Sequence, residues 1–201
     1  MYTLLKPFLV REELLKRGAK LFTQREFRRI FDARNDQTKY FMEQQVKRDG
    51  IFFRLKKGLY GLRTDLPSEE EIANALYKPS YISFEYALAY HGILPEMPYE
   101  VTCATTKPTR IFDVNSKTFS YNTIKKSAYT GYDLMSKEGR KFLMADPEKA
   151  LIDFIYFISI GKKNYNERFM IKNLNKSKAL EYAKLFSRPL LVKLVKKYVN
   201  N

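Results

Sequence analysis

Residues 51–62 read IFFRLKKGLYGL, two apolar arms at 51–55 and 59–62 joined through Lys56-Lys57-Gly58, and this pattern is that of a β-hairpin with a charged tip. No core can use two lysines at such a tip, so they are expected to face solvent or a charged partner.

Three helices are expected before the hairpin. In PFLVREELLKRG, Val10 and Leu14 lie one turn apart and Gly18 supplies a left-handed stop. Leu21-Phe22 forms a short apolar link. TQREFRRIF then carries Thr23 and Glu26 at capping-box spacing, where a hydroxyl and a carboxylate each take up an orphan amide of the helix start. Phe27, Ile30 and Phe31 share one face, which leaves Arg25, Arg28 and Arg29 toward solvent. ARND has turn chemistry, and QTKYFMEQQVKRDG follows as a third helix, with Thr38, Met42 and Val46 at i, i+4, i+8 and Gly50 at its end.

Helix, turn, second helix and two-stranded ribbon is the order of a winged helix-turn-helix, in which the second helix of the pair enters the major groove and the ribbon lies across neighbouring phosphates. The expected duplex-contacting residues are Arg28, Arg34, Asn35, Gln37, Thr38, Lys39, Tyr40, Gln44, Arg54, Lys56 and Lys57. Asn and Gln can pair with adenine and Arg with guanine, while the lysines neutralise phosphates. The first domain is expected to span residues 1–63.

A second domain is expected over 64–201. Ser68 and Glu71 form another capping box after Pro67, and a short helix is expected from about Ser83 to His91. YEVTCAT, TRIFDV and TFSYNTI alternate with period two, the pattern of a small antiparallel sheet. ADPEKALIDFIYFISIG returns to helix, with Asp146 as N-cap and Pro147 at the first helical position. A helical, lysine-rich tail is expected from Asn166, with Lys193, Lys196 and Lys197 opposite Leu191, Leu194, Val195 and Tyr198. The fold class is therefore α+β, a winged helix-turn-helix followed by a mixed α/β domain with a small antiparallel sheet and C-terminal helices. Lys107, Arg110, Lys125, Lys126, Arg140 and Lys141 are expected to give this domain a basic patch that extends the DNA footprint.

The chain carries 37 Lys and Arg against 22 Asp and Glu, a formal net charge of +15. Such a field concentrates polyanions and opposes self-association. The excess lies at both ends. Cys103 is the only cysteine, so no disulfide or cysteine-based zinc cluster forms within the chain, which fits a reducing, cytoplasmic setting. No secretory signal or membrane-spanning run is apparent. An enzyme needs convergent catalytic groups, and the candidates are poor. His91 reads as a helix-end cap and Cys103 as a small buried hydrophobe. DPEK at 146–149 contains letters a metal nuclease could use, but helix capping explains them better. No catalytic activity, metal or cofactor is expected.

The order of segments KKGLYGL, PSYISFEYALAYHGILPE, VTCATTKPTR, FSYNTIKKSAYTGYD and ADPEKALIDFIYF resembles the AbiEi antitoxins of abortive-infection toxin–antitoxin systems, up to about Ile160. The helix SYISFEYALAYHGIL and the stretch DPEKALIDF are its most specific parts. The resemblance implies a transcriptional repressor binding inverted repeats of double-stranded DNA upstream of its own operon, with a second domain supporting cooperative binding and antitoxicity. It also implies a nucleotidyltransferase-like toxin partner without a stable complex, the type IV arrangement. A stand-alone regulator and a module neutralising a protein partner directly are the alternatives.

Overall fold

The computed structural model describes residues 5–48, 50–165, 168–171 and 174–200. The chain forms two compact units, Met1–Leu76 and Tyr77–Asn201. The boundary expected after Arg63 therefore moves to the end of the next helix.

In the first unit the order is α1 (Pro7–Lys16), β1 (Leu21–Thr23), α2 (Gln24–Phe31), α3 (Asn35–Lys47), β2 (Phe52–Lys56), β3 (Leu59–Leu62) and α4 (Glu69–Leu76). The Thr23 box forms as expected: Thr23 Oγ1 accepts from the Glu26 amide at 3.2 Å, and the Thr23 amide donates to the Glu26 carboxylate at 2.7 Å. Ser68 and Glu71 repeat the arrangement ahead of α4, at 3.2 and 2.8 Å. A cap of this kind is worth about 1 kcal/mol. The link at Leu21-Phe22 is itself a strand. It pairs antiparallel with β3, Phe22 opposite Tyr60, and gives a three-stranded sheet of order β1-β3-β2.

The core of this unit joins Val10 and Leu14 of α1, Phe22 of β1, Phe27 of α2, Phe41 and Met42 of α3, and Phe52 and Leu62 of the hairpin. Phe52 meets Phe22, Phe27 and Phe41 edge-on at centroid distances of 5.0, 5.9 and 6.0 Å. Each buried ring is worth about 1.5–3 kcal/mol in removed apolar surface. The charged α2 face at Arg25, Arg28 and Arg29 lies on the opposite, exposed side.

The second unit contains β4 (Ser80–Ile82), α5 (Phe84–Tyr90), β5 (Val101–Thr105), β6 (Arg110–Val114), β7 (Lys117–Thr123), β8 (Tyr132–Lys137), β9 (Arg140–Ala145), α6 (Pro147–Ser159), α7 (Lys176–Leu185) and α8 (Pro189–Asn200). The small antiparallel sheet expected from sequence is instead a mixed six-stranded sheet of order β6-β7-β5-β4-β9-β8. β5 runs parallel to β7 and β4 parallel to β9, so strands distant in the chain become neighbours. The three residues of β4 are all buried between β5 and β9 and show no alternation, as befits a strand covered on both faces. Phe84, at a φ of 56°, turns the chain from β4 into α5 and is buried against Phe157.

Asp146 caps α6 as expected, accepting from the Lys149 amide at 2.7 Å, with Pro147 in the first turn. α6 is buried nearly all round, packed by α5, α7, α8 and β9. In α8, Leu191 and Val195 are buried while Lys193, Lys196 and Lys197 are exposed. The helical onset expected at Asn166 lies outside the described residues, and α7 starts at Lys176.

Candidate nucleic-acid interface

The α2–α3 corner forms because Asp32 adopts a left-handed conformation, φ 45°, after α2, and Arg34 is extended ahead of α3. α3 starts at Asn35, so the stretch read as a turn supplies the first helical residues. Gln24 at the start of α2 donates its side-chain amide to Asn35 Oδ1 at 3.3 Å, which fixes one helix start beside the other.

On α3, Thr38, Phe41 and Met42 point into the core, while Asn35, Asp36, Lys39, Tyr40, Glu43 and Lys47 are exposed. Tyr40 is 67% exposed. Gln37 and Gln44 are half-buried, two turns apart along one flank of this ridge. Arg34 faces Asp36 at 3.4 Å in an open position, an ion pair of small worth. Thr38 does not belong with the duplex-contacting residues: it is 0% exposed, and its hydroxyl donates to the Arg34 carbonyl at 2.8 Å. Its one-turn spacing from Met42 makes it a core position.

In the hairpin, Arg54 and Lys57 are exposed, and neither has an ion-pair partner among the described residues. Lys56 is turned away from the tip. Its ammonium donates to the carbonyl of Leu76, the last residue of α4, where the negative end of the helix dipole favours a cation. The register shift between Arg54 and Lys56 accompanies this turn in direction. Lys56 thus fastens the hairpin to α4, a bond its place beside the tip did not announce. A narrow groove lined by Glu43, Val46, Lys47, Arg54 and Tyr60 joins the outer side of α3 to the hairpin. A wider, open groove on α2 is lined by Arg25, Arg28 and Arg29 together with Asp32. Arg28 Nε donates to the Ala33 carbonyl at 3.4 Å, which holds that side chain along the corner.

The second-unit basic residues come from three places in the fold. Lys107 and Arg110 each lie 5.6 Å from the centroid of the Tyr77 ring, next to the β6 edge of the sheet. Arg140 and Lys141 lie on β9, several strands away in the sheet order, and Lys125 and Lys126 stand at the short turn that follows β7. A period-two strand pattern places residues on faces but leaves the lateral order of strands open.

A polar cluster not anticipated from sequence lies inside the second unit. Lys149 and Asp153, both 0% exposed, form an ion pair one turn apart on α6. Asp153 Oδ2 also accepts from Tyr81 OH at 2.9 Å and from Ser83 Oγ at 2.8 Å. The Lys149 ammonium lies over the rings of Tyr81 and Phe186, 5.5 and 5.1 Å from their centroids. Burial lowers the Lys149 pKa despite the opposing effect of Asp153, and burial raises the Asp153 pKa despite Lys149 and the two hydroxyls. The i, i+4 spacing of Lys149 and Asp153 within an apolar run was the available signal. Asp146 is occupied in capping and accepts from Tyr182 OH at 2.6 Å, while His91 bonds through Nε2 to the Ala145 carbonyl at 2.8 Å. Cys103 is buried, which pushes its thiol pKa up. Among the described residues no group of three or more His, Cys, Asp or Glu could hold a metal ion, and no helix is long and apolar enough to cross a membrane.

No protein-family model and no curated protein matches this chain.

Proposed function

We propose that the first unit is a winged helix-turn-helix that binds double-stranded DNA, with α3 as the recognition helix and the β2–β3 hairpin as the wing. The observation that carries this reading is the shared groove: the outer side of α3 and the unpaired cation of Arg54 line one surface, with Lys57 exposed at the nearby tip. Arg54, Lys57 and the α2 arginines contact phosphates and set affinity, and Asn35, Gln37, Lys39, Tyr40 and Gln44 read base edges.

The resemblance to AbiEi antitoxins extends the proposal to biology. The chain acts as a repressor of its own operon at an inverted repeat and as the antitoxin to a nucleotidyltransferase-like toxin, with no catalytic step of its own, in the cytoplasm. The test is fluorescence anisotropy with a labelled duplex from upstream of the gene and a scrambled duplex, over a salt series. Preference for the upstream duplex with a steep salt dependence is expected. Equal affinity for both duplexes at every salt concentration would remove the repressor reading, and co-expression with the neighbouring gene tests the antitoxin role by growth rescue.

A further inference from the structure

The loop between β5 and β6 is held in place by side-chain hydrogen bonds from Thr105 and Thr109 and from Tyr77 and Thr123 beside it. Thr105 Oγ1 donates to the Pro79 carbonyl at 2.7 Å and accepts from the Lys107 amide at 3.2 Å. The Lys107 carbonyl accepts from Thr123 Oγ1 at 2.7 Å, and the Pro108 carbonyl from Tyr77 OH at 3.1 Å. Thr109 Oγ1 accepts from the Thr123 amide at 3.3 Å. The Tyr77 ring is itself wedged against Tyr121, edge-on at 5.3 Å, and Phe112 at 6.0 Å.

On this rigid support two exposed cations share one ring, Lys107 and Arg110 each 5.6 Å from the Tyr77 centroid. Neither has a carboxylate partner among the described residues, and Asp113 of β6 is taken by Thr118 Oγ1 at 2.8 Å. Two like charges at one ring, with no carboxylate partner among the described residues, repel each other, a cost that an anion would reverse. A cation over a ring face still directs N–H donors outward, and the planar guanidinium of Arg110 matches the oxygens of a phosphoryl group. Because the loop is already ordered, little conformational freedom is lost on binding.

We propose that Lys107 and Arg110, held by Tyr77 on the β5–β6 loop, form a binding site for a phosphoryl group, supplied by a nucleic-acid backbone or by a small phosphorylated molecule. The site lies wholly in the second unit and does not depend on duplex reading by the first.

The test is a 1H–15N NMR titration of the full chain with inorganic phosphate, ionic strength held constant with chloride, and a parallel titration with a short random-sequence DNA duplex. Saturable shifts at the amides of Thr105, Lys107, Thr109 and Thr123 are expected. Lys107→Ala and Arg110→Ala should each weaken binding about tenfold, as loss of a charge-assisted hydrogen bond does, and Arg110→Lys by less. Duplex-induced shifts at these amides that Arg110→Ala abolishes identify the backbone as the source. Shifts with phosphate alone identify a small ligand. The absence of saturable shifts with both probes, or binding unaltered in the Lys107→Ala/Arg110→Ala double variant, overturns the site. Shifts of α3 and hairpin amides in the duplex titration report separately on the first unit.

Discussion

The ring of Phe53 lies over the α-carbon of Gly61, its partner across the β2–β3 pair. A β-carbon at position 61 would stand 2.3 Å from Phe53 Cζ, and Phe53 is nearly buried, so the ring has little room to yield. Gly61→Ala should therefore destabilise the protein by about 1–3 kcal/mol, the usual cost of overpacking, measured by chemical denaturation. Phe53→Leu in the same chain should recover part of that loss, and a Gly61→Ala variant as stable as the parent would remove the close approach.

Lys56 and Lys57 are adjacent in sequence but differ in surroundings, Lys56 bonded to the Leu76 carbonyl and Lys57 exposed. Lys57→Ala should lower the slope of log affinity against log salt by about one on any duplex, the signature of one lost phosphate contact. Lys56→Ala should leave that slope unchanged and lower the melting temperature, because it removes the cation at the C-terminal carbonyl of α4. A slope change in Lys56→Ala with no thermal effect would return it to the phosphate-contacting set.

Gln37 is placed on the flank of the exposed ridge, half-buried and near the start of α3. Gln37→Ala should relax preference at one base position by about 1–3 kcal/mol if the amide reads adenine bidentately. The measurement is competition among single-position operator variants. An unaltered ranking of all variants would place Gln37 outside the readout.

The buried Lys149–Asp153 pair has a pH signature that appears when it is broken. In the parent chain the pair holds one proton between its two groups over the neutral range, folded or unfolded, so it adds little pH dependence there. Lys149→Met removes the cation and leaves burial, opposed only by the Tyr81 and Ser83 hydroxyls, to raise the Asp153 pKa. The folded state then binds more protons than the unfolded one, and stability should fall as pH rises above the ordinary carboxylate value of about 3.9. Asp153→Leu leaves Lys149 with a lowered pKa, so stability should rise with pH toward the ordinary lysine value of about 10.4. Each single change should cost about 3–5 kcal/mol, and the Lys149→Met/Asp153→Leu double change less. Flat pH profiles in both single variants would contradict the burial of the pair.

The sequence by itself determined the features that depend on neighbours within four residues. Both capping boxes, the Asp146-Pro147 start of α6, the arginine face of α2, the core face of α3 and the hairpin turn follow from local hydrogen-bond chemistry and from the period of apolar residues. Tertiary structure alone decided the rest. Three-residue β1 and β4 are too short to show a period, and they become strands only because β3, β5 and β9 lie beside them. The same holds for Lys56, whose partner Leu76 is twenty residues on, for Asp153 with Tyr81 and Ser83, and for Lys107 and Arg110 gathered on Tyr77. In each of these, one residue's partner is brought close by the path of the chain through the sheet, and side-chain spacing along the sequence carries no record of that path.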